Sequence, residues 1–205
     1  MINPWLTITY SDYENHMLEV GQAHVLNALT DYYLKEYKPA NFALIGCATG
    51  NGLEHIDDEI TRNVYAIDIN SDYLQQTKIR FENKIKNLII CCIDLQNDKL
   101  TLSNIDLAFC GLILEYVEPE KVLKNICEII NEDGKIVIII QKDKQTSFVT
   151  KTKYNSLESL TKIAKEISEK KIIDICKSLN LKMVHQRKIQ LNKKKSFLVL
   201  TFGVN

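Results

Sequence analysis

Five short runs dominate the chain: FALIG (42–46), NVYAID (63–68), NLIICCID (87–94), IDLAFCG (105–111) and KIVIIIQ (135–141). Most are apolar on both faces, so both faces must be covered. That is the condition of strands in a parallel sheet packed between two helical layers. Helical patterns fall between the runs. SDYLQQTKIRFENKI (71–85) starts with Ser71 as its cap, and MLEVGQAHVLNALTDYYLKEY (17–37) precedes the first strand as one amphipathic helix. EPEKVLKNICEIINEDGK (118–135) has Pro119 at a helix start, Val122, Leu123, Ile126, Ile129 and Ile130 at helical spacing, and Gly134 as a stop. A further helical region covers roughly 156–179, after which LKMVHQRKIQL (181–191) and SFLVLTFGV (196–204) are joined by NKKKS. So short a link makes them antiparallel, because a parallel crossover needs about a dozen residues or more. The expectation is a doubly wound α/β fold: a seven-stranded, mostly parallel sheet with helices on both faces and an antiparallel terminal hairpin.

At 205 residues the chain suits one domain, 1–205, with residues 1–38 as a helical arm and 142–180 as an insert. An apolar content of 45% with 25% charged residues is that of a globular protein. No run approaches the roughly 18 apolar residues of a membrane span, and no leader pattern opens the chain, which points to the cytoplasm. Cys47, Cys91, Cys92, Cys110, Cys127 and Cys176 mostly sit in apolar runs without metal-ligand spacing, so they read as reduced core thiols and no metal site is expected. Charge is uneven: residues 142–195 hold 15 Lys+Arg against 5 Asp+Glu, and residues 1–141 hold 11 against 21. Two readings stand, a surface for nucleic acid or another anion and a solvated lysine-rich face.

In an open parallel sheet, ligands bind beyond the carboxyl ends of the strands. GCATGNG (46–52) leaves the first strand at that edge and is read as opening a helix. Its glycines stand at 46, 50 and 52, which is neither a dinucleotide fingerprint nor a P-loop. Asp68 ends the second strand, where a carboxylate can accept both hydroxyls of a ribose, and Asp94 ends the third. Each acid taken singly reads equally as a turn or cap acid. Together with the glycine turn they describe a nucleoside pocket with no demand for a diphosphate.

At these residues the sequence resembles the class I S-adenosylmethionine-dependent methyltransferases. ALIGCATGNG stands where that family has its glycine-rich first motif, YAIDIN matches the second, and IICCIDLQ the third. IDLAFCGLILEYV, with the helix after it and GKIVIII, resembles the family's fourth strand, the next helix and the fifth strand. The resemblance implies a Rossmann-like methyltransferase fold, with S-adenosylmethionine as cofactor and S-adenosylhomocysteine as product. It places Gly46, Cys47, Ala48 and Gly50 around the methionine part, Asp68 on the ribose, and Ile69 and Leu95 against the adenine. Asp94 would take the adenine amino group, and the backbone of Cys110 would lie near the methionine amine. Ala48 stands where the family has glycine. Glu115 and Tyr116 fall where the family lines its substrate side, and Tyr10, Tyr13 and His16 where related proteins fold a lid, which makes Glu115, Tyr116, Tyr13 and His16 the catalytic candidates. The Asn-Pro-Pro-Tyr pattern is missing, against adenine-N6 and glutamine methylation. The lysines of 142–160 suit steering of an acidic metabolite or an RNA. The expected function is methyl transfer to a small-molecule acceptor. The alternatives are an RNA or protein acceptor met by the basic region, and a catalytically silent cofactor-binding module; glycine spacing and hairpin disfavour a nicotinamide-dependent oxidoreductase.

Overall fold

The computed structural model describes residues 3–143 and 148–204. Seven strands, β1 (Asn41–Ile45), β2 (Asn63–Asp68), β3 (Leu88–Cys92), β4 (Ile105–Gly111), β5 (Ile130–Asp143), β6 (Leu181–Gln190) and β7 (Lys195–Val204), form one sheet in the order β3-β2-β1-β4-β5-β7-β6. The first five pair in parallel, and β7 runs antiparallel to both β5 and β6. The doubly wound architecture with its reversed hairpin is thus the one expected.

Both faces of the central strands are buried. Within β1, Ala43 and Ile45 join one core with Val122, Leu123 and Ile126 of α4 (Pro119–Cys127) and Ile172, Ile175 and Cys176 of α5 (Glu169–Ser178). Phe42 and Leu44 join the opposite core with Leu26, Leu29 and Tyr33 of α2 (Gln22–Tyr37) and Leu74 and Phe81 of α3 (Ser71–Phe81). A third, smaller cluster joins Ile8 to Leu157 and Leu160, with Trp5, Tyr13 and Tyr116 packed against it. It fastens the insert to the N-terminal arm above the ends of the strands.

Local structure departs from the sequence reading at five places. The helix expected over 17–37 is two: α1 (Tyr10–Glu19) starts seven residues earlier on the cap Thr9, whose hydroxyl accepts from Asp12 N, and Gly21 at φ 73° breaks it from α2. Asn70, not Ser71, caps α3, accepting from Asp72 N and Tyr73 N. Helix α4 stops at Cys127, because Ile130 pairs with Ile105 of β4; Ile129 and Ile130, helical by spacing alone, belong to the sheet side, and Gly134 lies inside β5. Residues Asn155–Lys162 are a 3₁₀ helix, and α5 begins only at Glu169 on the cap Ser168. The glycine turn leads into a three-residue 3₁₀ segment, Leu53–His55, instead of an α-helix.

Of the insert 142–180, residues 144–147 lie outside the described residues. The thiols are free, with Cys47, Cys110 and Cys176 buried, Cys91 and Cys127 half-buried and Cys92 exposed. Among the described residues no helix is long and apolar enough to cross a membrane.

Candidate active site

The turn after β1 is held mainly by hydrogen bonds to the end of β2. Gly46 N and Cys47 N both donate to Ile67 O, Gly50 N donates to Cys47 O, and Ala48 N donates to Asp68 Oδ2 at 2.9 Å. Asp68 Oδ1 accepts from Asn70 N at 2.9 Å. One carboxylate therefore ties the glycine turn to the start of α3. Burial pushes the Asp68 carboxyl up, and the N–H groups of Asn70, Ala48 and Ile69 pull it back. The turn is clamped from above as well: Thr49 donates its hydroxyl hydrogen to Glu14 of α1 at 2.6 Å, and Glu14 pairs with Arg80 of α3.

Beside this turn a cavity of about 800 Å³, counting its open mouth, lies across the carboxyl ends of β1, β2, β3 and β4. Gly46 and Ala48 form one wall; Asp68 and Ile69, the residues Ile93–Gln96 after β3, and Gly111–Ile113 after β4 form the others. Aromatic rings close it: Trp5 meets Tyr116 edge-on with centroids 5.0 Å apart, Trp5 meets Tyr13 at 6.0 Å, and Tyr13 lies 5.5 Å from Tyr73. Burial, with acidic neighbours, raises the phenols of Tyr13, Tyr73 and Tyr116, so all three keep their protons at neutral pH. No Lys, Arg or His is among the lining residues described.

A glycine turn gripped by the acid of the next strand, beside a cavity at the switch point of a 3-2-1-4-5-7-6 sheet, is the setting in which the family comparison applies. Residues 44–138 match the model of the methyltransferase domain family. That match and the shared fold support a class I S-adenosylmethionine-dependent methyltransferase family. Solved structures share the fold of this methyltransferase across nearly its whole length. An S-adenosylmethionine-dependent methyltransferase from Clostridium acetobutylicum has a TM-score of 0.63 at 13% identity, covering 97% of this chain and 93% of its own. The N-methyltransferase NodS from Bradyrhizobium japonicum reaches 0.63 at 16% identity, covering 91% and 95%. Geranyl diphosphate C-methyltransferase from Streptomyces coelicolor reaches 0.67 at 8%, covering 89% and 80%. No functionally curated protein matches the sequence.

In this methyltransferase the expected cofactor residues divide. Gly46, Ala48, Asp68, Ile69, Asp94 and Leu95 all line the cavity. Gly50 does not; a Cβ there would come within 2.9 Å of Phe81, so its bareness serves the packing of α3. Cys47 and Cys110 lie in opposite cores, their thiols pushed up by burial, and the β4 wall is made by Gly111–Ile113 instead. Asp94 also organises its own loop, accepting from Gln96 N at 3.0 Å and Asn97 Nδ2 at 2.7 Å.

Among the catalytic candidates, Tyr13 and Tyr116 line the cavity, whereas Glu115 and His16 do not. Glu115 is buried and turned to β5, accepting from Gln141 N at 2.7 Å. His16 is buried under the insert, with Nδ1 2.9 Å from the Thr152 hydroxyl, and its proton affinity is lowered by burial and by Lys195. Tyr10 is exposed on α1. Trp5 and Tyr73 are site residues that sequence reasoning missed. Trp5 lies at the cavity with its carbonyl accepting from Asn70 Nδ2 at 2.7 Å, and Tyr73 occupies what reads as an ordinary core position of α3.

Ala48 adopts φ 46°, the left-handed conformation that costs a non-glycine residue about 1–2 kcal/mol. Its N–H is held by Asp68 and its carbonyl accepts from the Thr77 hydroxyl at 3.0 Å, so the surroundings impose the conformation. Ala48→Gly is expected to raise stability by about 1 kcal/mol in urea denaturation, less the extra freedom glycine gives the unfolded chain. Affinity for S-adenosylhomocysteine should be retained. A less stable variant would contradict this account of the turn.

Proposed function

We propose that this methyltransferase transfers a methyl group to a small acceptor that is neutral or carries an amine, bound between the arm and the insert. The observation that carries the reading is the cavity wall itself, four aromatic rings and two carboxylates without a basic side chain. An anionic acceptor would lose its water against the rings of Trp5, Tyr13 and Tyr116, with no Lys, Arg or His of the described lining to pair with it. An amine in its ammonium form gains about 0.5–2 kcal/mol over a ring face. Three lysines of the C-terminal region are engaged elsewhere: Lys142 donates to Ile167 O, Lys195 to Phe148 O, and Lys171 pairs with Glu120. The neighbour from Bradyrhizobium, named as an N-methyltransferase, is consistent with the amine reading.

The residues present fit the cofactor. Asp68 would accept from the ribose hydroxyls, Ile69 and Leu95 would flank the adenine with Asp94 at its amino group, and Gly46, Ala48 and the backbone after Cys110 would border the amino-acid end. Bound S-adenosylmethionine supplies a methyl group made electrophilic by its sulfonium. Trp5, Tyr13 and Tyr116 exclude water and orient the acceptor, and such positioning can account for about 7–11 kcal/mol of a barrier. The tyrosines act as proton-bearing donors, not bases, and an amine arriving uncharged needs no base before transfer. Residues 3–17 serve as the lid, and the insert backs that lid through the packing of Leu157 and Leu160 on Ile8.

The test is production of S-adenosylhomocysteine by purified protein offered S-adenosylmethionine with amines, phenols, carboxylates and phosphates. Amines or phenols are expected to turn over. Preferential turnover of carboxylates, phosphates or RNA would overturn the reading.

A further inference from the structure

Tyr73 sits on the third residue of α3, 1% exposed, on the cavity wall. Its hydroxyl is buried and has no hydrogen-bond partner among the described residues. Such an orphaned donor is costly in a folded chain and calls for a partner from outside it. The neighbours that its hydroxyl senses are Tyr13, Asp68, Asp12 and Glu14, so no cation stands there to receive an anionic ligand group. The position suits a neutral oxygen that can accept a hydrogen bond. Asp68, tied to the same cap through Asn70 N and hence to the first turn of α3, is an acceptor only. A sugar hydroxyl both donates and accepts, so a carboxylate satisfies only half of it.

We propose that Tyr73 is a cofactor-binding residue, donating its hydroxyl hydrogen to a ribose hydroxyl oxygen whose own hydrogen goes to Asp68. The assignment rests on the ribose role given to Asp68 above. Tyr13 then covers the pair as a lid, its ring against that of Tyr73.

Tyr73→Phe removes the hydroxyl and keeps the ring. Calorimetric titration with S-adenosylhomocysteine and with 5′-methylthioadenosine, which has the ribose but no amino-acid end, should show both affinities reduced about tenfold. The melting temperature of the ligand-free variant should be unchanged or higher, because an unpaired buried donor has gone. Loss confined to S-adenosylhomocysteine would move the contact to the amino-acid end and overturn the ribose assignment. Unchanged affinity for both would overturn the contact, and a lower ligand-free melting temperature would make the hydroxyl structural. Wild-type protein that binds neither compound would overturn the underlying cofactor site, an outcome visible before any variant is made.

Discussion

Asp68→Ala is expected to weaken binding of S-adenosylhomocysteine by one to two orders of magnitude and, separately, to lower the stability of the ligand-free protein. The loss of affinity comes from hydrogen bonds to a charged group, each worth about 1.5–3 kcal/mol. The loss of stability comes from the hydrogen bonds that Asp68 already makes: its two oxygens hold Ala48 N and Asn70 N, and each N–H left without an acceptor costs about 1–3 kcal/mol where water cannot replace it. Asp68→Asn separates the two, since its single amide oxygen can keep one backbone N–H while the negative charge is lost. Calorimetry and urea denaturation on both variants give the comparison. Wild-type affinity in the alanine variant would remove Asp68 from the cofactor site, and wild-type stability would show that the turn is held without it.

This double role explains what the sequence could and could not disclose. Taken singly, Asp68 reads equally as a turn acid and a ribose acid, and the structure makes it a turn acid lining the cavity. The same is true of Asp94, which organises its loop and lines the cavity. The strand pattern was legible because doubly buried strands such as β1 leave near-continuous apolar runs, a signal independent of distant partners. The helix ends were less so, since Ile129 and Ile130 satisfy a helical spacing and only the pairing of Ile130 with Ile105 decides otherwise.

The aromatic wall was least legible. Trp5 and Tyr116 are separated by more than a hundred residues and meet only because the arm folds back over β4, held by the Thr49–Glu14–Arg80 chain and by the packing of Ile8 on Leu157 and Leu160. No local rule of spacing encodes such a meeting. Gly50 shows the converse error: a glycine in a ligand-binding motif invites a ligand explanation, whereas here a side chain would collide with α3. The cavity owes its shape as much to helix packing behind the turn as to bare backbone in front of it.

Glu115 carries the second large effect. It is 1% exposed; Oε1 accepts from Gln141 N, and Oε2 has no partner among the described residues. Burial pushes its carboxyl up to about 7, against the pull of the Gln141 and Glu115 N–H groups and of Lys142. The folded-state value thus lies above the ordinary one of 4.5, so the folded chain binds the proton more tightly. The associated stability is fully present below pH 4.5 and is lost as pH rises through 7; at about 1.4 kcal/mol per pH unit it amounts to about 3 kcal/mol. His16 has the opposite sign, because its lowered value leaves it buried neutral and favours folding as pH rises through 6.5. Glu115→Gln keeps an acceptor for Gln141 N and removes the titration, while His16 stays common to both proteins. Urea denaturation at pH 5 and pH 8 should therefore show the variant gaining about 2.5 kcal/mol relative to wild type between the two. Because the Glu115 carbonyl also accepts from Lys165 N at 2.8 Å, and Tyr116 beside it forms the cavity wall, charging of Glu115 loosens the joint between β5, the insert and the site. Equal pH slopes in the two proteins would show that the carboxyl stays ionised in its burial and that the joint does not depend on its proton.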